Sequence, residues 1–581
     1  MGRIIINMSF SGIGGVFGPV KSPEMIEEAL EQRGVENVST AETDDFFMAS
    51  SELLLEKESL IIGFNGVLEG SERPAEQIFR LYRKRGRDMV EKLTGDFVLA
   101  IFDREKKELL IATDKVGNSR IFYTEREEFL AFSSHLSIIT SLQQVDNRLD
   151  REVLRRKLLY WPASLSSGRT MIQGVYRMKP SQYMICDPEI KEEKIYWDPY
   201  GDELDVSDTD AVEKIDDLLG EAVQMYLDEV QEVNVAFSGG FDSSLLVQLL
   251  QRESEKKVNT YTYGFSEEIL ERGRKRAREL GTEHHDVELE RKLPGKEEVW
   301  KNGTPFPPHV YYGFNVLAEE AGPDGFFVGG NSTIPFPVSL GKIRKLGYLR
   351  SLPAIGTLVG KITPPVVSFL HGKGIIDGEI YNTALNAADL LSSNYMAITL
   401  TRPLNLNPRY FGLEPAQDLE REIESQWPPR SDRLDENMVQ QDLRMRANLW
   451  STAHGHHLSH HEPYSYSPLL EFALKIPINQ RKDRRLERKL AEEKFDLGYE
   501  EPGGAAEVAD QLSRAVEAER RKFESVLEDF MEREIVDEYI EEVLRSGEDF
   551  KELTFFKVNA YLIERWLQAY IDREEPWRSP D

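Results

Sequence analysis

The stretch SGGFDSS, Ser238 to Ser244, follows an apolar run, VNVAF (233–237), and opens a helical pattern, LLVQLLQRE (245–253). This order predicts a strand, a glycine turn and a helix. Gly239 and Gly240 let the backbone approach an anion closely. The helix N-terminus adds free N–H groups and a dipole that favours phosphate. Ser238, Ser243 and Ser244 contribute hydroxyls. Asp242 opposes an anion unless it also holds a cation, and a Mg²⁺ shared with phosphates removes that conflict. The loop lacks the GK[ST] ending of a Walker sequence, so it grips a different part of a nucleotide.

Working outward, VNTYTYGF (258–265) reads as a second strand and EEILERGRKRAREL (267–280) as a second helix. This βαβ order predicts a parallel sheet covered by helices. Upstream, LIIGFNGVL, FVLAIFD, ELLIATD and RIFYTE read as short strands among helical segments, an α/β or α+β layered domain. The polar, acidic stretch DPYGDELDVSDTD (198–210) marks a boundary. The expected organisation is therefore 1–205, 206–505 and a charged helical extension over 506–581 that packs one apolar face on the body.

The 581 residues are enough for several cores, and 40% hydrophobic content argues for a folded chain. With 102 acidic against 72 basic residues the net charge is −30, which disfavours binding to nucleic acid. It is compatible with a salt-rich cytoplasm and with ordinary acidic proteins alike. No apolar run reaches about 18 residues, so no membrane span or membrane partner is expected. The start MGRIIINMSF is too short for a secretory signal, so a cytoplasmic protein is expected. A single cysteine, Cys186, excludes an internal disulfide and a Cys-based zinc site, and reads as a buried small side chain.

SGGFDSS resembles the pyrophosphate loop of the ATP-pyrophosphatases, specifically of asparagine synthetase-like amide ligases. YTYGF (261–265), LGTEHHDVEL (280–289) and PYSYSPLLEFALKIP (463–477) are similar to later segments of that ligase. GFNGVL (63–68), LTGDFVLAIFDREKKELLIATDKVGNSRIFY (93–123), GVYRMKPSQ (174–182) and IYW (195–197) resemble the glutaminase domain that precedes it. The resemblance implies an N-terminal αββα sandwich of N-terminal-nucleophile hydrolase type, followed by a parallel-sheet domain of adenine-nucleotide α-hydrolase type. It implies ATP and Mg²⁺ as cofactors and a carboxylate, small or peptidic, activated as its acyl-adenylate and captured by an amine. It also implies a homodimer. Carried over, the nucleotide site comprises Ala236, Ser238, Gly239, Gly240, Asp242, Ser243, Ser244, Tyr263 and Gly329, with Asp242 on the metal. A lysine that neutralises the leaving pyrophosphate falls on Lys489, with Arg488 and Lys482 as competitors.

Several positions depart from the family. Its glutaminase nucleophile is an N-terminal cysteine. In SGIGGVFG (11–18) that position is Ser11, inside the chain, where its nitrogen is acylated and cannot act as a base. The acid that would grip glutamine's amine falls on Val67, the second holder of that amine on Pro74, and the carboxylate-pairing arginine near Ser50 or Ser51. These losses imply an inactive glutaminase. Cleavage before Ser11 would expose a serine nucleophile, yet the binding residues would still be missing. In FFVGGNSTIPF (326–336) the second acidic motif loses its acids at Thr333 and Ile334, with Asn331 replacing a glycine and Asp324 nearby. HEPYSY puts His461 and Tyr466 where the family has arginine and aspartate.

Outside the resemblance stands HGHHLSHH (454–461). On a helix, His457 and His461 share a face, as do His456 and His460, a spacing able to hold Zn²⁺ beside Glu462. The alternative is hydrogen bonding to substrate or phosphate. The function expected is ATP-dependent amide formation using ammonia or a substrate amine. Two other readings stay open: an intramolecular ligase like β-lactam synthetases and lasso-peptide cyclases, and a catalytically weakened nucleotide-binding regulator or scaffold.

Overall fold

The computed structural model describes residues 12–33, 35, 37–71, 73–160, 168–187, 189–264, 266–288, 293–303, 317, 325–330, 332, 335–336, 366–367, 369–370, 373, 375–376, 460–499, 513–545, 551–575 and 578. Ser11, Asp324, Asn331, Thr333, Ile334, His454, His456 and His457 lie outside them.

The N-terminal half is built from two six-stranded sheets. Its strands are β1 (Ile13–Phe17), β2 (Ser39–Glu42), β3 (Phe46–Ser50), β4 (Leu53–Lys57), β5 (Leu60–Leu68), β6 (Gly95–Asp103), β7 (Glu108–Thr113), β8 (Phe122–Glu125), β9 (Leu130–Ser133), β10 (Tyr176–Arg177), β11 (Gln182–Cys186) and β12 (Ile190–Ile195). One sheet runs β10-β8-β9-β1-β3-β2 and the other β12-β11-β7-β6-β5-β4. Their inner faces interdigitate through Ile13, Phe17, Met48, Ile61, Phe102, Ile111, Phe132 and Met184, all buried. Both faces of each sheet are covered, so the strands read as apolar runs rather than alternations. Cys186 belongs to this core, where burial pushes its thiol well above the usual range.

Helices α1 (Met25–Gln32), α2 (Pro74–Arg85), α3 (Leu136–Ile139) and α4 (Arg151–Tyr160) belong to the same half. Ile78, Phe79 and Tyr82 of α2 pack on the second sheet, and Ile26, Ala29 and Leu30 of α1 join Ile138 of α3 over the first. The result is the expected four-layer αββα arrangement.

Beyond residues 198–207, α5 (Asp208–Leu227) starts at an N-cap in which Ser207 accepts from the Asp210 N–H. There follow β13 (Val233–Ala236), α6 (Phe241–Glu253), β14 (Val258–Gly264), α7 (Glu267–Leu280), β15 (Glu283–Glu288), α8 (Lys296–Asn302), β16 (Phe326–Val328) and β17 (His460–His461). All pairings in this sheet, order β15-β14-β13-β16-β17, are parallel. Leu245, Leu246 and Leu249 of α6 and Ile215, Leu219 and Val223 of α5 enclose one apolar cluster with Val233, Val235 and Phe327.

Helices α9 (Ser467–Ala473), α10 (Ile478–Arg481) and α11 (Arg485–Phe495) follow, then α12 (Arg520–Met531), α13 (Glu538–Arg545) and α14 (Lys551–Tyr570). The last corrects a sequence expectation. Rather than packing one face on the body, α14 is buried nearly all round from Phe556 onward. Tyr561, Trp566 and Tyr570 share a cluster with Leu154 of α4, Trp300 of α8 and Phe523 of α12. Charge along 506–581 suggests a solvated element, but the charged residues concentrate on either side of α14, whose apolar positions occupy most of its circumference. Among the described residues, no helix is long and apolar enough to cross a membrane.

Candidate active site

The loop sits at the carboxyl ends of β13 and β16, where open parallel sheets bind ligands. Ala236 closes β13, and Gly239 adopts φ +70°, a conformation that favours glycine. A Cβ there would also lie 3.0 Å from the Arg272 carbonyl oxygen. Gly240 caps α6, whose first intrahelical bond runs from the Ser244 N–H to the Gly240 carbonyl at 3.0 Å. The N–H groups of residues 241–243 precede that bond and face an anion site. Gly329, at the end of β16, would bring a Cβ to 3.1 Å from the Ser243 nitrogen. Its glycine therefore lets β16 abut the first turn of α6.

The three loop serines divide. Ser238 is exposed, accepts from the Gly240 N–H at 3.2 Å and lies 3.3 Å from the Ser243 hydroxyl. Ser243 donates to the Gly240 carbonyl at 3.2 Å. Ser244 is fully buried, donates to the same carbonyl at 2.8 Å and accepts from Arg276 Nε at 3.3 Å. It braces the turn and leaves Ser238 as the open hydroxyl. Tyr263 stands on β14 beside the loop strand, and burial raises its phenol to about 12.

Asp242 is the one carboxylate of the loop, and an arginine holds it. Arg484 Nη2 pairs with Asp242 Oδ1 and donates to Ser332 Oγ at 2.8 Å, while Nε donates to Glu487 Oε2 at 2.7 Å. Arg484 is 2% exposed and lies 5.4 Å over the Phe241 ring. Glu487 is fully buried, which pushes its carboxyl up to about 7 against the lowering influence of Arg484. The side chain is aimed inward by its backbone. Asp483 and Arg484 both take φ +58° between α10 and α11. Two consecutive left-handed non-glycine residues cost about 1–2 kcal/mol each, a strain that surrounding structure must hold.

Arg484 is not among the residues the sequence offers for this site. Lys489, the one it offers, reaches Thr209 Oγ1 at 3.1 Å and Glu493 at 3.7 Å on the α5 side of α11. Arg488 lies 3.7 Å over the Tyr499 ring, and Lys482 bonds Asn479 at 2.9 Å. The positive φ at Asp483 and Arg484, invisible in the sequence, selects one cation from this basic run.

The loop fits the phosphates of a nucleotide: glycines where a Cβ would intrude, helix N–H groups and an open hydroxyl converge on it. Asp242 suits Mg²⁺ as a single carboxylate, since that ion takes its other ligands from phosphate and water. Among the described residues, no three His, Cys, Asp or Glu side chains gather as a metal cage.

The histidine expectation changes as well. His460 and His461 form strand β17 rather than part of a helix, so they point to opposite sides. His461 is buried between the Tyr226 and Phe327 rings, at 4.8 and 4.9 Å between centroids. Pairing with the edge of β16 overrides the helical reading of the spacing. Tyr466, standing where the family has aspartate, donates its hydroxyl to Glu69 of the N-terminal half.

The comparisons with known proteins agree with this geometry. A glutamine amidotransferase domain model matches residues 69–197, and an asparagine synthase model matches 214–293, which contains the loop. Over these stretches the chain is similar to asparagine synthetases. It is 28% identical over 269 residues to amidase chry2 of Gibberella zeae, covering 42% of this chain and 39% of that protein. It is 27% identical over 278 residues to amidase chyE of Penicillium rubens, covering 44% and 40%. Asparagine synthetase [glutamine-hydrolyzing] 3 of Bacillus subtilis is 24% identical over 196 residues, covering 33% and 32%. The matched stretch spans two fifths or less of each of these relatives.

In the half matched by the amidotransferase model, the positions at which the resemblance places glutamine contacts are bonded internally. Gly66 donates its N–H to Glu52 Oε2 at 2.6 Å, and Ser50 donates to Asn65 Oδ1 at 2.8 Å. Ser51 accepts from the Gly12 N–H at 2.8 Å. Val67, standing where an acid is expected, is buried in the apolar cluster of α5. Pro74 occupies the first turn of α2, a structural position that needs no side-chain donor.

Proposed function

We propose that this protein forms amide bonds at the expense of ATP, through an acyl-adenylate, using ammonia or a substrate amine rather than glutamine. The observation that carries the reading is the Ser238–Ser244 loop with its glycine cradle at the carboxyl ends of β13 and β16, inside the stretch matched by the asparagine synthase model. ATP supplies the activation of a carboxylate, small or peptidic, with pyrophosphate as leaving group. The chain contributes position and charge: the α6 N–H groups and Ser238 hold phosphate oxygens, Asp242 holds Mg²⁺, and Tyr263 lines the approach from β14. The Gly66 N–H, engaged by Glu52, and the apolar Val67 support an amine source other than glutamine.

The test is carboxylate-dependent exchange of labelled pyrophosphate into ATP. Exchange with one acid or peptide, abolished in Asp242→Ala, is the expected result. ATP binding without exchange for any acid tried would instead favour a nucleotide-binding regulator.

A further inference from the structure

Arg484 carries more than the Asp242 pair requires. Nη2 reaches Asp242, Ser332 and Glu487, and Nε reaches Glu487, while both N–H groups of Nη1 make no hydrogen bond among the described residues. The side chain is 2% exposed, so little of it meets bulk water. The Nη1 donors belong to a guanidinium lodged between the first turn of α6, the segment after β16 and the start of α11. The same three elements surround the nucleotide loop. A buried carboxylate, Glu487, fixes the guanidinium plane through two contacts, and a left-handed turn at Asp483 and Arg484 directs it inward. A surface ion pair needs neither device.

We propose that Arg484 binds the pyrophosphate portion of the nucleotide directly, supplying permanent positive charge beside the loop. The inference rests on the nucleotide reading above. An arginine stays charged at any working pH and offers a planar fork that matches phosphate oxygens. It therefore neutralises pyrophosphate without a second metal ligand. Glu487 and Ser332 position the fork; Asp242 shares it until phosphate arrives.

The experiment is calorimetric titration of the full chain with inorganic pyrophosphate and, separately, with adenosine, each with and without Mg²⁺. Wild type is expected to retain pyrophosphate binding in chelator. Arg484→Ala should weaken it by more than about tenfold, as for loss of a charged hydrogen-bond donor, and Arg484→Lys by less. Adenosine binding should be unchanged in both. Removing Arg484 alone strands Glu487, so the double variant Arg484→Met with Glu487→Gln removes the pair together and keeps a folded comparison. Equal pyrophosphate affinity in wild type and this double variant overturns the inference and leaves the nucleotide reading intact. Parallel loss of adenosine and pyrophosphate would assign Arg484 a structural role only and overturn it too. Failure of wild type to bind either ligand overturns the nucleotide reading itself.

Discussion

Tyr226 of the ligase-like half donates its hydroxyl to Asp96 of the glutaminase-like half, across the junction between them. Asn118 donates to the other oxygen of Asp96 at 3.0 Å, and the neighbouring Asp114 accepts backbone N–H groups from Val116, Gly117, Asn118 and Ser119. Burial, and then the charge of Asp96, push Asp114 up to about 7, and burial raises Asp96 as well. The two carboxyls titrate as a pair. Both folded values exceed the unfolded value of about 3.9, so their contribution to stability is full below about pH 4 and is lost as pH rises towards 7. Asp96→Asn removes one of the charges. Its urea midpoint relative to wild type should therefore rise between pH 5 and pH 8. A difference that stays constant with pH would refute this origin.

Glutamine should be inert towards this chain. The Gly66 N–H is taken by Glu52, and Val67 offers no charge to an amine. Neither wild type nor Glu52→Ala should release glutamate when incubated with glutamine, because the unplugged variant still lacks the nucleophile and the amine contacts. Glutamate formation above the no-protein rate, followed by a coupled dehydrogenase assay, would contradict this.

Trp566 is fully buried on α14 and donates its indole N–H to the Gly303 carbonyl at 3.1 Å, with its ring 5.0 Å from that of Tyr570. Trp566→Ala leaves a cavity and an unpaired carbonyl. A loss of about 3–5 kcal/mol is expected, read from denaturant midpoints. A loss below about 1 kcal/mol would mean that α14 is a detachable extension after all.

What could be read in advance follows from how local each signal is. SGGFDSS carries its own geometry: a buried strand before it, a helix after it and two glycines between. The apolar runs of β5, β6 and β7 likewise announce a sheet covered on both faces. Arg484 could not be read this way. Lys482, Arg484, Arg485, Arg488 and Lys489 offer five cations in a short run, and only a backbone turn of unusual hand decides which one faces inward. Glu52 was hidden for a similar reason, since its bond to Gly66 depends on β4 lying beside β5. His460 and His461 misled because a strand formed with a distant partner leaves no trace in a five-histidine run.

That pairing sets an order of events in the life of the chain. β16 ends at Val328 and its outer neighbour begins at His460, so the whole of 329–459 must be made before this edge of the sheet is covered. Arg484 and Glu487 come later still. A chain growing from its N-terminus can assemble β13, β14 and β15 around the glycine loop early, but long-range partners arrive last and close slowly. A ribosome-bound chain would thus display a half-built phosphate cradle with an open sheet edge. Nucleotide would have its full set of charges to grip only after synthesis has passed Glu487.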